Sequence, residues 1–321
     1  MTPIRTITTT AVVGAGYMGG GIAQVLALHD YKVALADVDG EAAERSRARL
    51  VEQATVFESG GLLPEGAADT IRKNLAAASS IEEAVGLADY IAEAVPEEPG
   101  IKAATLRRIS AAAPAGAIIG TNTSAIPIGE LAQSVAGPER FLGVHWMNPA
   151  PFIPGVELIS GPDTDTAVLG LVEELIGGLG KTPVRVSDTP GFVANRLQFA
   201  LYKEAVQMVE DGIATAEQID AVVGNTFGFR LALFGPFAIG DMAGLDVYES
   251  AYRTLEKAYG ARFAAPQALV ATVQNGNLGL KSGHGFLDIG AADKAALLAY
   301  RDNAYARLSQ LRTELGQAPG L

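Results

Sequence analysis

Residues 11 to 19 read Ala-Val-Val-Gly-Ala-Gly-Tyr-Met-Gly, and no other stretch of the chain limits its fold as strongly. An apolar run ends in a glycine-rich turn, and the turn leads directly into a helical pattern, Gly20 to Leu28. This is G-x-G-x-x-G between a strand and a helix. Gly14 suits the tight turn, Gly16 lets backbone approach a pyrophosphate, and Gly19 permits close packing of helix on strand. Tyr17 and Met18 stand at the start of the helix, where free N–H groups and the helix dipole favour an anion. The next apolar run, VALAD, ends in Asp37, whose carboxylate can accept both hydroxyls of an adenosine ribose. No Arg or Lys follows Asp37 until Arg45, so nothing there favours a 2′-phosphate. The loop therefore predicts NAD rather than NADP; the bland alternative is a glycine-rich turn with no dinucleotide on it.

The loop fits the rest of the first half. Short apolar runs alternate with helical patterns, the rhythm of a doubly wound parallel sheet. Strands are predicted at Thr8–Val13, Lys32–Ala36, Leu75–Ser79, Asp89–Val95, Ala117–Thr121, Phe141–His145, Val156–Ser160 and Pro183–Ser187. Between the second and third lies a longer stretch, 41–74, which reads as two helices joined at SGGLLP. Gly60 and Gly61 break the first and Pro64 opens the second. Such a hairpin exceeds what a crossover needs and is a candidate cap over a ligand. At Asp188-Thr189-Pro190-Gly191 the rhythm changes, and from Phe192 onward the apolar spacing is helical. The expected architecture is α/β: a Rossmann-type NAD-binding domain over 1–188, then an all-helical substrate and dimerisation domain over 189–321. A last helix is expected from Ala291 to Leu315.

Composition narrows the function. The formal charge of −12 argues against a nucleic-acid surface, which needs a basic face. It leaves room for an anionic small molecule held by a local cation or a helix N-terminus. With no cysteine, disulfides, thiolate metal sites and thiol nucleophiles are excluded, and the three histidines form no cluster, so no metal is expected. The N-terminus lacks a signal-peptide layout and no run approaches about 20 apolar residues, so a cytoplasmic protein without membrane contact is expected.

The chemistry is expected in HWMNPAPFIPGVE, which opens on His145 and ends on Glu157 with two proline turns between. Oxidation of a secondary alcohol needs a base for the hydroxyl proton, and histidine suits that near neutral pH. A carboxylate on the far ring nitrogen fixes the tautomer and stabilises the imidazolium. The same residues also read as a packed histidine and a sheet-edge charge. Taken alone, the pair leaves both readings open.

This stretch, together with Thr121-Asn122-Thr123-Ser124, Gly191-Phe192-Val193-Ala194-Asn195-Arg196 and the glycine loop, resembles the 3-hydroxyacyl-CoA dehydrogenase family. The resemblance runs to about Phe286. It implies that His145 is the general base and Glu157 its partner, and that Ser124 and Asn195 hydrogen-bond the reacting oxygen of the substrate from two sides. It also implies that Glu97 and Lys102, in PEEPGIK, lie near the nicotinamide ribose, with Asn122 beside the cofactor. Without the family, Ser124 is a strand-end hydroxyl, Asn195 a polar residue opening a helix and Lys102 a solvated helix charge. His29 reads as a cap at the end of the first helix, and His284 is assigned no chemistry.

Two departures bear on the substrate. Acyl-CoA members often carry lysine at the end of the first hairpin helix, whereas this chain has Glu52-Gln53-Ala54-Thr55-Val56-Phe57-Glu58-Ser59. Arg45 and Arg49 are the nearest cations, though pairing with Glu41 and Glu52 is their ordinary reading. Arg230, in GFRLALFGP, and the tail around Tyr300, Arg307 and Leu311 are similar to the λ-crystallin/L-gulonate 3-dehydrogenase branch and to carnitine dehydrogenases. There Arg230 suits a carboxylate; a salt bridge is the alternative. Asp241-Met242-Ala243-Gly244-Leu245-Asp246 and GLKSGHGF resemble the acyl-CoA branch. A short 3-hydroxyacyl-CoA is expected as substrate, a small free 3-hydroxy acid is the alternative, and an NAD-binding structural protein is the reading from another class. A homodimer through the C-terminal domain is also implied.

Overall fold

The computed structural model describes residues 7–290 and 293–319. The predicted start of the last helix at Ala291 lies outside the described residues; the helix itself runs over Lys294–Leu315. Two compact units divide between Tyr202 and Lys203.

The first unit is built on eight strands: β1 (Thr9–Val13), β2 (Lys32–Ala36), β3 (Leu75–Ala77), β4 (Tyr90–Glu93), β5 (Ile118–Thr121), β6 (Phe141–Trp146), β7 (Gly155–Ser160) and β8 (Thr182–Val186). They lie in the order β3-β2-β1-β4-β5-β6-β7-β8. All neighbours are parallel except β6 and β7, so β7 and β8 run against the other six. The eight predicted strands are all present, trimmed or extended by a residue or two. Helices cover both faces: α1 (Tyr17–Leu28), α2 (Gly40–Ser59), α3 (Ala67–Asn74), α4 (Ile81–Val85), α5 (Pro99–Ala112), α6 (Ile128–Ala132) and α7 (Thr166–Gly178). In β1, Val12 joins the apolar cluster on one face while Ala11 and Val13 join the other. A strand buried on both faces reads as a continuous apolar run, which is why the sequence displays it so plainly.

The hairpin is α2 and α3. Pro64 does not open its second helix, which starts at Ala67 after Gly66 in the left-handed region (φ 83°). Glu58 substitutes as the cap, accepting from Gly66 N–H at 2.9 Å and Ala68 N–H at 2.8 Å.

The compact units divide inside α8 (Ala194–Glu210). Phe192 is buried in the core of the first unit and the first turn of α8 is bonded to β7, so residues 189–202 stay with the sheet. The second unit continues with α9 (Ala216–Asn225), α10 (Phe227–Leu231), α11 (Pro236–Ala243), α12 (Leu245–Tyr259), α13 (Gln267–Gln274) and α14 (Lys294–Leu315). Beyond Val186 the described residues hold no strand, only an isolated bridge between Gly279 and His284. GLKSGHGF wraps the fully buried Asp241, whose carboxylate accepts from the N–H of Phe286 and Leu287. Among the described residues no helix is long and apolar enough to cross a membrane.

Candidate active site

The chain reverses after β6, and the reversal sets His145 directly across from Glu157 in the antiparallel β6–β7 register. Side chains of paired residues share a face. His145 Nδ1 lies 2.8 Å from Glu157 Oε2, and both residues are buried. An ionised carboxylate only accepts, so Nδ1 carries the proton of this bond, and Nε2 is the nitrogen that faces away from Glu157. Burial alone would raise the Glu157 pKa, but the bond from His145 and the N–H groups of Ala194 and Val193 outweigh it and hold the carboxyl below its ordinary value. Phe192 stands against the imidazole, ring centroids 5.5 Å apart.

The second carboxylate oxygen of Glu157 has its own task. Oε1 accepts from Val193 N–H at 3.0 Å and Ala194 N–H at 2.9 Å, capping the start of α8. Asn195, the next residue, then donates through Nδ2 to the carbonyl of Ser124 at 2.9 Å. Its carbonyl oxygen, like the Ser124 hydroxyl, makes no bond among the described residues. One carboxylate thus orients His145 and fixes the helix that carries Asn195.

Glu97 holds the Ser124 segment from the opposite side. Its Oε1 accepts from Thr123 Oγ1 at 2.7 Å, Ser124 N–H at 2.8 Å and Ala125 N–H at 3.0 Å. Burial raises its pKa, but these bonds and nearby Lys102 lower it on balance. Lys102 is not the solvated helix charge of the ordinary reading: it is only 1 % exposed. Its ammonium donates to Glu93 Oε1 at 2.9 Å and Val95 O at 3.2 Å and stands 3.5 Å from Glu97. Glu93 is fully buried at the end of β4 and also accepts from Thr121 Oγ1. Sequence reasoning missed Glu93, although a glutamate inside the apolar run YIAEAV was a visible signal that a cation had to meet it.

The glycine loop lies at the carboxyl ends of β1 and β4. Gly14 takes φ 97°, and a Cβ on it would sit 2.7 Å from the backbone of Ala94. A Cβ on Gly19 would strike the Gly14 carbonyl at 1.8 Å, whereas one on Gly16 meets nothing within 4 Å. The N-cap of α1 is Gly16, with no side-chain cap and no acidic residue in the first turn, so its leading N–H groups remain for an anion. Tyr17 is largely exposed; Met18 turns into the core and can offer a ligand only its backbone. Asp37 ends its turn beside the loop, Oδ2 accepting from Ala15 N–H at 3.3 Å and Oδ1 from Val38 N–H at 2.8 Å. These features fit a dinucleotide. Asn122, expected beside it, accepts from Trp146 N–H at 2.8 Å through Oδ1, and its amide nitrogen is unbonded among the described residues.

The candidate substrate cations fare differently. Arg45 pairs with Glu41 at 3.5 Å, as its ordinary reading has it. Arg49 does not pair with Glu52; Nη2 donates to Ala15 O at 3.0 Å, which ties the hairpin to the glycine loop. Arg47 is bonded to Leu75 O and Glu44. The Arg230 guanidinium makes no ion pair or hydrogen bond among the described residues, and the residue is half-buried. His29 caps α1, with Nδ1 2.9 Å from Val25 O.

The sequence profile described as "3-hydroxyacyl-CoA dehydrogenase, NAD binding domain" matches residues 9–189, and that of the C-terminal domain matches residues 191–289. The chain is 36 % identical over 297 residues to a 5-formyl-3-hydroxy-2-methylpyridine 4-carboxylate 5-dehydrogenase of Mesorhizobium japonicum, covering 92 % of this chain and 95 % of that one. It is 36 % identical over 278 residues to a probable 3-hydroxybutyryl-CoA dehydrogenase of Bacillus subtilis, covering 86 % and 96 %. Among solved structures, a 3-hydroxyacyl-CoA dehydrogenase of Archaeoglobus fulgidus superposes with a TM-score of 0.78 at 32 % identity, covering 96 % of this chain and 99 % of the other.

Proposed function

The chain belongs to the 3-hydroxyacyl-CoA dehydrogenase family, and we propose that it oxidises the 3-hydroxyl of a short L-3-hydroxyacyl-CoA with His145 as the base. At the coarser level it is an NAD-dependent oxidoreductase acting on CH–OH. The observation that carries the finer reading is the buried 2.8 Å bond between His145 Nδ1 and Glu157.

Bound NAD supplies the hydride acceptor. His145 Nε2 takes the hydroxyl proton, and the imidazolium so formed keeps its Nδ1–H on an anionic Glu157. Because Glu157 titrates below its ordinary range, it stays charged throughout that step. The Ser124 hydroxyl and the second N–H of the Asn195 amide are the groups that can donate to the substrate oxygen. Glu97 and, behind it, Lys102 and Glu93 keep the Ser124 segment in place. Asp37 receives the adenosine ribose, and the α1 N-terminus the pyrophosphate.

A free 3-hydroxy acid is the second reading, and one observation favours it. All three arginines of α2 are engaged within the chain, while the Arg230 guanidinium has no partner among the described residues. The Mesorhizobium relative, by its name, acts on a pyridine carboxylate. We further propose a homodimer through the helical unit.

The test is a panel of L-3-hydroxybutyryl-CoA, L-gulonate and L-carnitine with NAD, assayed with wild type and His145→Gln. Turnover of a 3-hydroxy compound that falls roughly 10²–10⁴-fold in His145→Gln, with NAD binding unchanged, is the expected result. An active His145→Gln ends the proposed mechanism. Preference for an acid over the thioester, lost in Arg230→Met, selects the second reading.

A further inference from the structure

The turn between His145 and Glu157 contains three prolines, Pro149, Pro151 and Pro154, which have no N–H to donate. Its internal support is correspondingly thin. Phe152 N–H and Ile153 N–H both reach back to the Pro149 carbonyl, at 3.1 and 3.0 Å. Three other carbonyls of the turn converge on a single cation. The Lys181 ammonium donates to Ala150 O at 2.7 Å, Pro151 O at 3.0 Å and Ile153 O at 2.9 Å. An ammonium has three N–H groups, and all three are used on the turn.

The lysine is delivered there by the sheet. Gly180 ends the turn after α7 in the left-handed region (φ 70°), and Thr182 N–H bonds Pro154 O at 2.8 Å. The parallel register Gly155↔Thr182 then continues into β8. The ammonium stands 5.9 Å over the ring of Trp146, the residue after His145. Among the described residues Lys181 has no carboxylate partner, and burial lowers its pKa from the ordinary lysine value. A desolvated cation held by main-chain oxygens of one turn is costly, and its return is the fixed shape of that turn.

We propose that Lys181 is a positioning residue for the reaction, one that fixes the proline turn and so holds His145 and Glu157 in their bonded register. The inference rests on the His145–Glu157 reading above. A displacement of about 1 Å at a base is enough to cost on the order of 10²-fold in rate, so the turn is where such precision is kept or lost.

Lys181→Met keeps the apolar stem and removes the three donors. On whichever of L-3-hydroxybutyryl-CoA and L-gulonate the wild type oxidises, kcat is expected to fall on the order of 10- to 100-fold. NAD affinity should stay within about twofold, because the glycine loop and Asp37 are untouched. Amide exchange at Phe152 and Ile153 should accelerate in Lys181→Met. In Lys181→Ala, added propylammonium should restore a large part of kcat, whereas propanol, which refills the space without the charge, should not. If Lys181→Met does not fold, Lys181→Ala prepared with propylammonium takes its place. Recovery of the fold without kcat then overturns the proposal. So does a Lys181→Met enzyme with wild-type kcat, unchanged amide exchange in the turn, or kcat and NAD affinity falling together without rescue. An active His145→Gln control is a separate outcome: it removes the dyad reading and this inference with it, whatever Lys181 does.

Discussion

At the scale of single residues, the glycine loop separates two uses of the same amino acid. Gly16→Ala adds a methyl to open space, with φ −64° and ψ −164° already accessible to alanine. The protein should keep its melting temperature while NAD binding weakens, since the open space is where a pyrophosphate has to approach. Gly19→Ala drives a methyl into the Gly14 carbonyl and should lower the melting temperature or prevent folding. Thermal melts with and without NAD decide it; equal destabilisation by both substitutions contradicts this division of roles. Asp37 belongs to the same scale. Its carboxylate should repel a 2′-phosphate, so Asp37→Ala is expected to narrow the preference for NAD over NADP, measured as the ratio of kcat/KM values. Equal wild-type use of both cofactors would overturn the assignment.

At the scale of elements, one carboxylate repeatedly joins two of them. Glu157 joins β7 to α8, and Glu97 joins the turn after β4 to the segment after β5. Asp188 joins the unit's last strand to α6, accepting from Ile128 N–H and Gly129 N–H. Asp89 ties the entrances of β1 and β4. Burial tends to raise its pKa, but bonds from the N–H and hydroxyl groups of Thr9 and Thr8 prevail and lower it from 3.8 to about 2. A carboxylate depressed in the folded state contributes stability above its unfolded pKa and loses it as pH falls through the folded value. Asp89→Asn should therefore cost roughly 2 kcal/mol near neutral pH, a gap that closes as pH drops from about 4 towards 2. Denaturant titrations of both proteins across that range check it, and a gap independent of pH refutes the assignment.

At the scale of the whole molecule, the helical unit leaves several large apolar side chains exposed. Phe229 and Phe234 pack against Tyr305 and Tyr300 of α14, so part of the unit's aromatic surface is covered within the chain. Val206, Val209, Ile213, Val222, Leu231 and Phe237 nonetheless remain exposed. They are the side chains the proposed dimer would cover. Sedimentation equilibrium at micromolar concentration should give a dimer. Replacing Val222 and Leu231 by charged residues should shift it to monomer, and a wild-type monomer would refute the assembly.

What the sequence determined by itself was local. Strands buried on both faces, the glycine loop with its acid and the helical rhythm after Phe192 are periodic or contiguous, and the backbone realises them wherever they stand. The His145–Glu157 pair was half legible: the proline turn announced a reversal, but only the antiparallel register made the two residues face each other. The tertiary structure alone decided which charges meet. Glu157 reaches backbone 36 and 37 residues away, Asn195 a carbonyl 71 away, and Lys102 a glutamate that ends an otherwise apolar strand. No periodicity connects such residues. Their pairing is forced because each is desolvated by a different pair of packed elements, and a buried polar group takes the partner that the packing leaves within reach.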